Sequence, residues 1–94
     1  MDCQKLEIEA SKKMLNKYFN RSIERYGEDK KMIAYMKKSQ KVWESYMDAE
    51  CSALYRTIGG GTIQGIVGGN CIIDMTKRRT HEIWENYLTY GDST

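Results

Sequence analysis

Residues 40–79 read QKVWESYMDAECSALYRTIGGGTIQGIVGGNCIIDMTKRR, and this stretch decides the fold. One helix-like segment carries Cys51 and another carries Cys71, and a glycine-rich run lies between them. A disulfide between the two cysteines would close a loop of about 20 residues and stabilise the fold by about 3 kcal/mol in the chain-entropy model. That is a large share of the total stability of a small domain. Our predictions of fold, compartment and function depend on this bond.

The first part of the chain predicts a helix. Between Cys3 and Tyr26, apolar residues recur at intervals of three or four, which is typical of one helical face. Gly27 is suited to end this helix, and Asp29 is suited to cap the next one. The expected inner face comprises Ile8, Ser11, Leu15, Phe19, Ser22 and Tyr26, widened by Met14, Tyr18 and Ile23.

A second, longer helix is expected from Asp29 to about Ile58, where apolar residues again step by three or four. Tyr35, Val42 and Tyr46 lie off this stripe and are expected to meet the first helix or solvent. The inward stripe comprises Ile33, Met36, Gln40, Trp43, Met47, Cys51, Leu54 and Ile58.

Six of the eight glycines fall in residues 59–69, and this density predicts a loop rather than a helix. Its aliphatic residues Ile63, Ile66 and Val67 are expected to fold back over the core. Asn70 is expected to cap a third helix that ends near residues 90–91, at Tyr90 and Gly91. The expected inner side of that helix comprises Ile72, Met75, Thr76, Arg79, Ile83, Tyr87 and Tyr90.

Arg79 lies among apolar neighbours in this pattern, so its guanidinium needs partners or a route to water. Glu50 is the first candidate partner, with Asp48 and the carbonyls of the loop as alternatives.

Together these elements predict one all-α domain over residues 1–94. It is expected to be an antiparallel three-helix arrangement with a long central helix and a glycine-rich loop closed by a disulfide.

The same stretch resembles a known family pattern. The residues that match are Gln40, Trp43, Tyr46, Asp48 and Cys51, then the glycine run, then Cys71, Thr76 and Arg79. They resemble the signature of the LprI-type lysozyme-inhibitor family of small exported bacterial proteins. That signature is Q-x-x-W-x-x-Y-R-D-x-x-C, a glycine-rich loop, and C-x-x-x-x-T-x-x-R-T.

The resemblance covers about the C-terminal two thirds of the chain, and upstream Leu15-Asn16 resembles the Leu-Asn pair of the family's first helix. The chain departs from the family at Met47, where Arg is usual, and at Lys12, where Asp is frequent. Family members often carry a further cysteine upstream of the position of Cys3. Here that cysteine is missing, so Cys3 is expected to be an unpaired thiol.

Composition limits the location and the partners. A net charge of +2 and a pI near 8.4 are too mild to indicate nucleic-acid binding. No apolar run approaches the roughly 18 residues of a membrane-spanning helix, and Met1 is not followed by a signal-peptide pattern. Because the resemblance implies export, we expect that Met1 stands in place of a removed signal segment. The predicted location is therefore periplasmic or secreted.

No pattern of catalytic or metal-binding residues stands out. The glycine run lacks the Gly-Lys-Ser/Thr ending of a phosphate loop, and His81-Glu82 lacks the second histidine of a zinc protease helix. The three cysteines and His81 are not paired closely enough for a zinc site. The sequence therefore predicts a binding protein that is not an enzyme and has no cofactor or metal.

The resemblance implies that the chain binds and inhibits lysozyme, by blocking a cleft that contains two catalytic carboxyl groups. The expected contact residues are Tyr55, Arg56, Gly60, Gly61, Thr62 and Gln64, with Trp84 as an exposed aromatic anchor. Two alternatives stay open: an immunity-type or accessory envelope protein that neutralises a more acidic toxin or hydrolase, and a purely structural domain. Animal lysozymes are generally basic, so a chain of net charge +2 would be repelled at long range, which favours a more acidic target.

Overall fold

The computed structural model describes residues 3–89 and consists of helices. Helix α1 spans Cys3–Arg25, α2 spans Lys30–Thr57, and α3 spans Thr62–Ile83, followed by a short π-helix, Trp84–Leu88. No strand occurs within these residues, so the predicted all-α class is confirmed.

The connection between α1 and α2 is short and capped as the sequence predicts. The Oδ1 atom of Asp29 accepts a hydrogen bond from the backbone N–H of Met32 at 3.0 Å, which satisfies one free donor of the first turn of α2. At the end of α1, the backbone N–H of Gly27 donates to the carbonyl of Glu24 at 3.2 Å. The positive-φ glycines of residues 3–89 are elsewhere, so Gly27 ends the helix without a left-handed conformation.

The extent of the glycine-rich loop was predicted wrongly. Only residues 58–61 are non-helical, and α3 begins at Thr62, eight positions before the predicted cap at Asn70. The side chain of Asn70 instead accepts a hydrogen bond from Nε2 of Gln4 at 3.2 Å. The same Gln4 nitrogen donates to the carbonyl of Ile66 at 2.8 Å, which joins the start of α1 to the start of α3.

Two glycines inside α3 are required by close approach of the other helices. A Cβ atom at Gly68 would lie 2.9 Å from Cδ2 of Tyr55 on α2. A Cβ atom at Gly69 would lie 2.3 Å from Cδ of Gln4 on α1. Glycine weakens a helix by only about 0.5–1 kcal/mol per residue, so packing on both sides can offset its presence here.

Contacts along the helices show their directions. The start of α1 contacts the start of α3 through Gln4, and its end contacts the π-helix, where Arg25 Nη1 donates to the carbonyl of Leu88 at 2.8 Å. Cys51, late in α2, is bonded to Cys71, early in α3, and Gln40, in the first half of α2, contacts Arg79, near the end of α3, so these two helices run in opposite directions. The resulting molecule is elongated, with principal extents of 49 × 23 × 21 Å.

Helix α3 lies between the other two. Both α1 and α2 pack on α3, whereas the backbones of α1 and α2 hardly approach one another. The buried residues, which form a small core along α3, are Ser11, Leu15, Ser22, Met36, Gln40, Met47, Cys51, Ile73, Thr76, Arg79 and Ile83, besides the two helical glycines. Met14, predicted on the inner face of α1, is exposed. Tyr35, Val42 and Tyr46 face solvent, one of the two expected settings.

The third helix changes character before its predicted end. From Trp84 onward the hydrogen bonds step by five residues, as in the 3.2 Å bond from the N–H of Thr89 to the carbonyl of Trp84. The ring of Tyr87 packs edge-to-face against Tyr26 of α1, with centroids 6.4 Å apart. The predicted end of the helix at residues 90–91 lies outside the described residues.

Candidate functional site

The predicted disulfide is present. Cys51 of α2 and Cys71 of α3 are bonded, with their Cα atoms 5.6 Å apart, and Cys51 is buried. Met75 places its sulfur 3.7 Å from that of Cys51, so the bond is enclosed by a further apolar side chain. Cys3 carries a free, exposed thiol in this structure. The bond fixes the spacing of α2 and α3 about two turns from their connection.

That connection, residues 58–61, is a tight turn at one end of the molecule. Gly60 and Gly61 have φ angles of 104° and 83°, which residues with a side chain rarely adopt. The N–H of Gly60 donates to the carbonyl of Ile58 at 2.9 Å, inside the turn. A side chain closes the turn from α3, where Nε2 of Gln64 donates to the carbonyl of Tyr55 at 3.1 Å. The turn is therefore exposed but well fixed.

Six of the seven predicted contact residues gather at this turn. Tyr55 and Arg56 belong to the last turn of α2, and Thr62 and Gln64 belong to the first turn of α3. All are exposed except Gln64, which is half-buried by its contact with Tyr55. We define these residues, with Gly60 and Gly61, as the turn surface.

Sequence reasoning missed two apolar residues beside this surface. Ile63 and Ile66 were expected to cover the core, but they are 64% and 48% exposed. They lie three residues apart in α3, so both are on the same side of the helix. Their shared face could not be recognised from the sequence, because residues 59–69 were predicted to be a loop. The three-residue spacing of Ile63 and Ile66 has a structural meaning only in a helix. Their exposure adds apolar area next to the turn surface.

The seventh predicted contact residue, Trp84, lies far from the others. It is 43% exposed, as expected, and its indole ring stacks at a tilt on His81 with centroids 5.6 Å apart. The 22 residues of α3 separate it from Gly61, which corresponds to about 33 Å at 1.5 Å per residue. Trp84 and the turn surface therefore cannot belong to one small contact patch.

The predicted partners of Arg79 were wrong. Its Nε donates to Oε1 of Gln40 at 2.9 Å, and its Nη2 donates to Oγ of Ser39 at 3.2 Å. Its Nη1 forms an ion pair with Glu82, one turn further along α3. Glu50 takes no part. Gln40 could have been identified as the partner, because an amide on an apolar stripe of α2 needs a polar group opposite it.

The remaining signature residues line two grooves on either side of Trp43. The first lies between α2 and α3 and encloses about 410 Å³. Trp43, Tyr46, Leu54 and Met75 supply apolar surface there. Its charged residues are Glu50, Asp74, Arg78, Arg79 and Glu82.

The second groove, which we call the α1–α2 groove, encloses about 290 Å³ above α3. Its floor includes Thr76, and Trp43 forms part of its wall on the α2 side. The other lining residues are Lys12, Leu15 and Asn16 of α1, and Glu44, Met47 and Asp48 of α2. Both positions where the chain departs from the family pattern, Lys12 and Met47, therefore lie in one groove.

Two further kinds of feature are absent from the described part of the chain. Within residues 3–89, no group of three or more histidine, cysteine, aspartate or glutamate side chains could hold a metal ion. No helix among these residues is both long and apolar enough to cross a membrane.

Comparison with known proteins identifies one family. The family model described as "Lysozyme inhibitor LprI" matches residues 1–83. An uncharacterized protein of Rhizobium meliloti (strain 1021) is 30% identical over 50 residues, which is 53% of this chain and 36% of that protein. The chain therefore aligns with about a third of the length of that relative. No solved structure matches the chain significantly.

Proposed function

Because the chain belongs to the lysozyme inhibitor LprI family, we propose that it binds a lysozyme and blocks the substrate cleft with the turn surface. The observation that carries the proposal is the gathering of Tyr55, Arg56, Gly60, Gly61, Thr62 and Gln64 at one exposed end of an elongated molecule. A narrow end with a short turn fits a cleft better than the side of a helix does.

The rigidity of the turn supports this role. Immobilising a flexible loop on binding costs about 0.5–1.5 kcal/mol for each ordered side chain, and a loop held in place beforehand avoids much of that cost. Three bonds hold this turn in place before binding: the disulfide, the hydrogen bond from Gln64 to the carbonyl of Tyr55, and the backbone hydrogen bond within the turn. The turn therefore meets its target in one conformation.

The chemistry of the turn surface also fits a glycosidase cleft. Two carboxyl groups flank the scissile bond in such a cleft, and a guanidinium can bind a carboxylate through two parallel hydrogen bonds. Arg56 is exposed in the last turn of α2 and has no ion-pair partner among residues 3–89. Arg56 is therefore assigned to the carboxylates, and Tyr55 to the cleft wall, since tyrosine and arginine are frequent hot-spot residues.

Export of the chain is part of the same proposal. A disulfide persists in oxidising compartments such as the periplasm or the medium, and a lysozyme acts on the cell wall there. Fractionation of the source cells tests this point: the protein is expected in the periplasm or medium with Cys51 and Cys71 oxidised. Recovery only from the cytoplasm would overturn the proposed location.

Charge supports a second candidate, an envelope protein that neutralises a more acidic toxin or hydrolase. The net charge of +2 repels a basic lysozyme at long range. For a basic target, the association rate should rise with ionic strength as salt screens the repulsion, and for an acidic target it should fall. Association rates at low and high salt therefore distinguish the two candidates.

The central experiment is lysozyme inhibition by the oxidised protein and two turn variants. Gly61→Asp places a side chain and a negative charge at a positive-φ position, and Arg56→Ala removes the guanidinium. Each variant is expected to weaken inhibition by tenfold or more, a loss of about 1.4 kcal/mol of binding free energy. Arg21→Ala, an exposed arginine on α1, is the matched control. The proposal fails if the native protein does not inhibit, or if Arg21→Ala weakens inhibition as much as Arg56→Ala.

A further inference from the structure

We propose that the α1–α2 groove is a binding site for a single sugar ring of an oligosaccharide. This inference goes beyond the proposed function, because it concerns another part of the surface. Thr76, on the floor of the groove, lies 15 residues beyond Gly61, or about 22 Å along α3.

The groove exists because of how the helices are arranged. Helices α1 and α2 both pack on α3 while their own backbones hardly approach each other, so a trench remains between them with α3 as its floor. Leu15 from α1 and Met47 from α2 are the buried apolar residues at its sides. The site is therefore formed by three packed helices.

An unsatisfied hydroxyl lies at the bottom of this trench. Thr76 is 1% exposed, and its Oγ1 atom has no hydrogen-bond partner. Leaving a buried polar group unpaired costs about 1–3 kcal/mol, so such atoms normally have a partner. Within residues 3–89, Thr76 Oγ1 is the one buried side-chain oxygen or nitrogen without a hydrogen-bond partner. The oxygen itself is covered, so a ligand hydroxyl in the groove becomes its partner once the Thr76 side chain rotates toward the groove.

The other lining groups match the chemistry of a sugar. A pyranose ring has an apolar C–H face, which packs on an aromatic ring, and a rim of hydroxyls, which both donate and accept hydrogen bonds. Trp43 is half-buried and offers the aromatic surface. Around it stand Asp48 and Glu44 as acceptors, Lys12 as a donor and Asn16 as both. A rim of mixed donors and acceptors suits a ligand with many hydroxyls better than an ion of either sign.

The size of the groove limits the ligand. Its volume of about 290 Å³ is at the lower end of the range of small-molecule sites. One ring therefore fills it, and because the trench is open toward solvent, neighbouring rings of an oligosaccharide extend outside. The protein supplies positioning and hydrogen bonds only, and no bond in the sugar is made or broken.

A titration followed by NMR tests the site directly. The ¹⁵N-labelled protein is titrated with N,N′,N″-triacetylchitotriose and, separately, with cellotriose, which have the same β-1,4-linked pyranose rings and differ in the N-acetyl group at C2. The two indole N–H signals give an internal comparison, because Trp43 lines the groove whereas Trp84 lies outside it, eight residues or about 12 Å beyond Thr76 along the helix axis. The Trp43 signal and the backbone signals near Thr76 are expected to shift with at least one trisaccharide, while the Trp84 signal stays in place. Absence of a shift with both sugars, or equal shifts of both indoles, would overturn the proposal.

Two substitutions distinguish a binding role from a structural one. Thr76→Val removes the unpaired hydroxyl and keeps the shape, so the variant is expected to be at least as stable as the native protein and to bind sugar about tenfold more weakly. Asp48→Asn, at an exposed position, should weaken binding several-fold without changing stability, and Asp74→Asn in the other groove serves as its control. Full sugar affinity in both Thr76→Val and Asp48→Asn would exclude the groove. Lysozyme inhibition is unaffected by either result, so failure of this site leaves the proposed inhibition intact.

Discussion

The Nε atom of Arg79 lies 2.9 Å from Oε1 of Gln40, and this hydrogen bond joins α3 to α2 inside the molecule. Both residues are buried, Arg79 at 5% and Gln40 at 9% exposed. The positive charge is tolerated there because Glu82 pairs with the guanidinium and Ser39 accepts a further hydrogen bond. The two signature residues are therefore a structural pair and are not exposed for contact with a partner.

Replacement of Gln40 by Ala should destabilise the fold. It leaves one donor of a buried guanidinium without an acceptor, and a hydrogen bond to a charged group contributes about 1.5–3 kcal/mol. Urea denaturation measures the free energy of unfolding. Lys41→Ala, at the exposed neighbouring position, should change it by no more than about 0.5 kcal/mol. Equal stability of the two variants would contradict the structural role of Gln40.

Removal of the disulfide should lower the free energy of unfolding by about 3 kcal/mol, the value expected for a closed loop of this length. The variant is Cys51→Ala combined with Cys71→Ala, which leaves no odd thiol at either position. Cys3→Ser changes a free, exposed cysteine and should leave stability within about 0.5 kcal/mol of the native value. The free energies of unfolding of both variants are measured by denaturation under non-reducing conditions. A similar loss of stability in the two variants would contradict the stabilising role of the disulfide.

Two glycines of α3 should respond differently to replacement by Ala. A Cβ atom at Gly65 would meet no atom within 4 Å apart from its chain neighbours and the backbone of its own helix, so Gly65→Ala should raise the free energy of unfolding by about 0.5–1 kcal/mol through helix propensity. Gly68→Ala should give no such gain, because the new methyl would lie 2.9 Å from Cδ2 of Tyr55. Thermal unfolding measures both. In a Tyr55→Ala background, the gain from Gly68→Ala should return, and its continued absence would show that the ring is not the obstacle.

Tyr55 and Trp84 are both 43% exposed, yet only Tyr55 should matter for inhibition. Tyr55 lies at the turn surface, whereas Trp84 is about 33 Å away along α3. Tyr55→Ala is expected to raise the inhibition constant by tenfold or more, which corresponds to about 1.4 kcal/mol, and Trp84→Ala to leave it unchanged. A loss in Trp84→Ala alone would place the inhibitory contact at the other end of the molecule.

The helices themselves could be predicted from the sequence because their signals are local. Apolar spacing of three and four residues predicted α2 to within a residue at each end, and Asp29 supplies the predicted cap. The pairing of Cys51 with Cys71 was also predicted correctly, because the two cysteines lie on either side of the glycine run. Such features depend on a few neighbouring residues and need no knowledge of how the helices pack.

The start of α3 could not be predicted in the same way. Glycines at 68 and 69 look like part of a loop when only local propensity is considered. Their actual cause is distant in sequence, because Tyr55 and Gln4 occupy the space that side chains would need. The partner of Arg79 was missed for a similar reason: charge indicated Glu50, whereas the packing of α2 on α3 brings Gln40 to the guanidinium.

The central position of α3 has a consequence for how the molecule opens. Among residues 3–89, the one covalent cross-link ties α2 to α3, whereas α1 is held by non-covalent contacts with α3 and the π-helix and by its short connection to α2. Partial opening should therefore release α1 first, as a unit, while the other two helices stay together. Amide protons of α1 should then exchange with deuterated solvent sooner than those of α2 and α3 near Cys51 and Cys71. The turn surface lies on the slow-exchanging pair, so a lysozyme could remain bound while α1 detaches and reattaches.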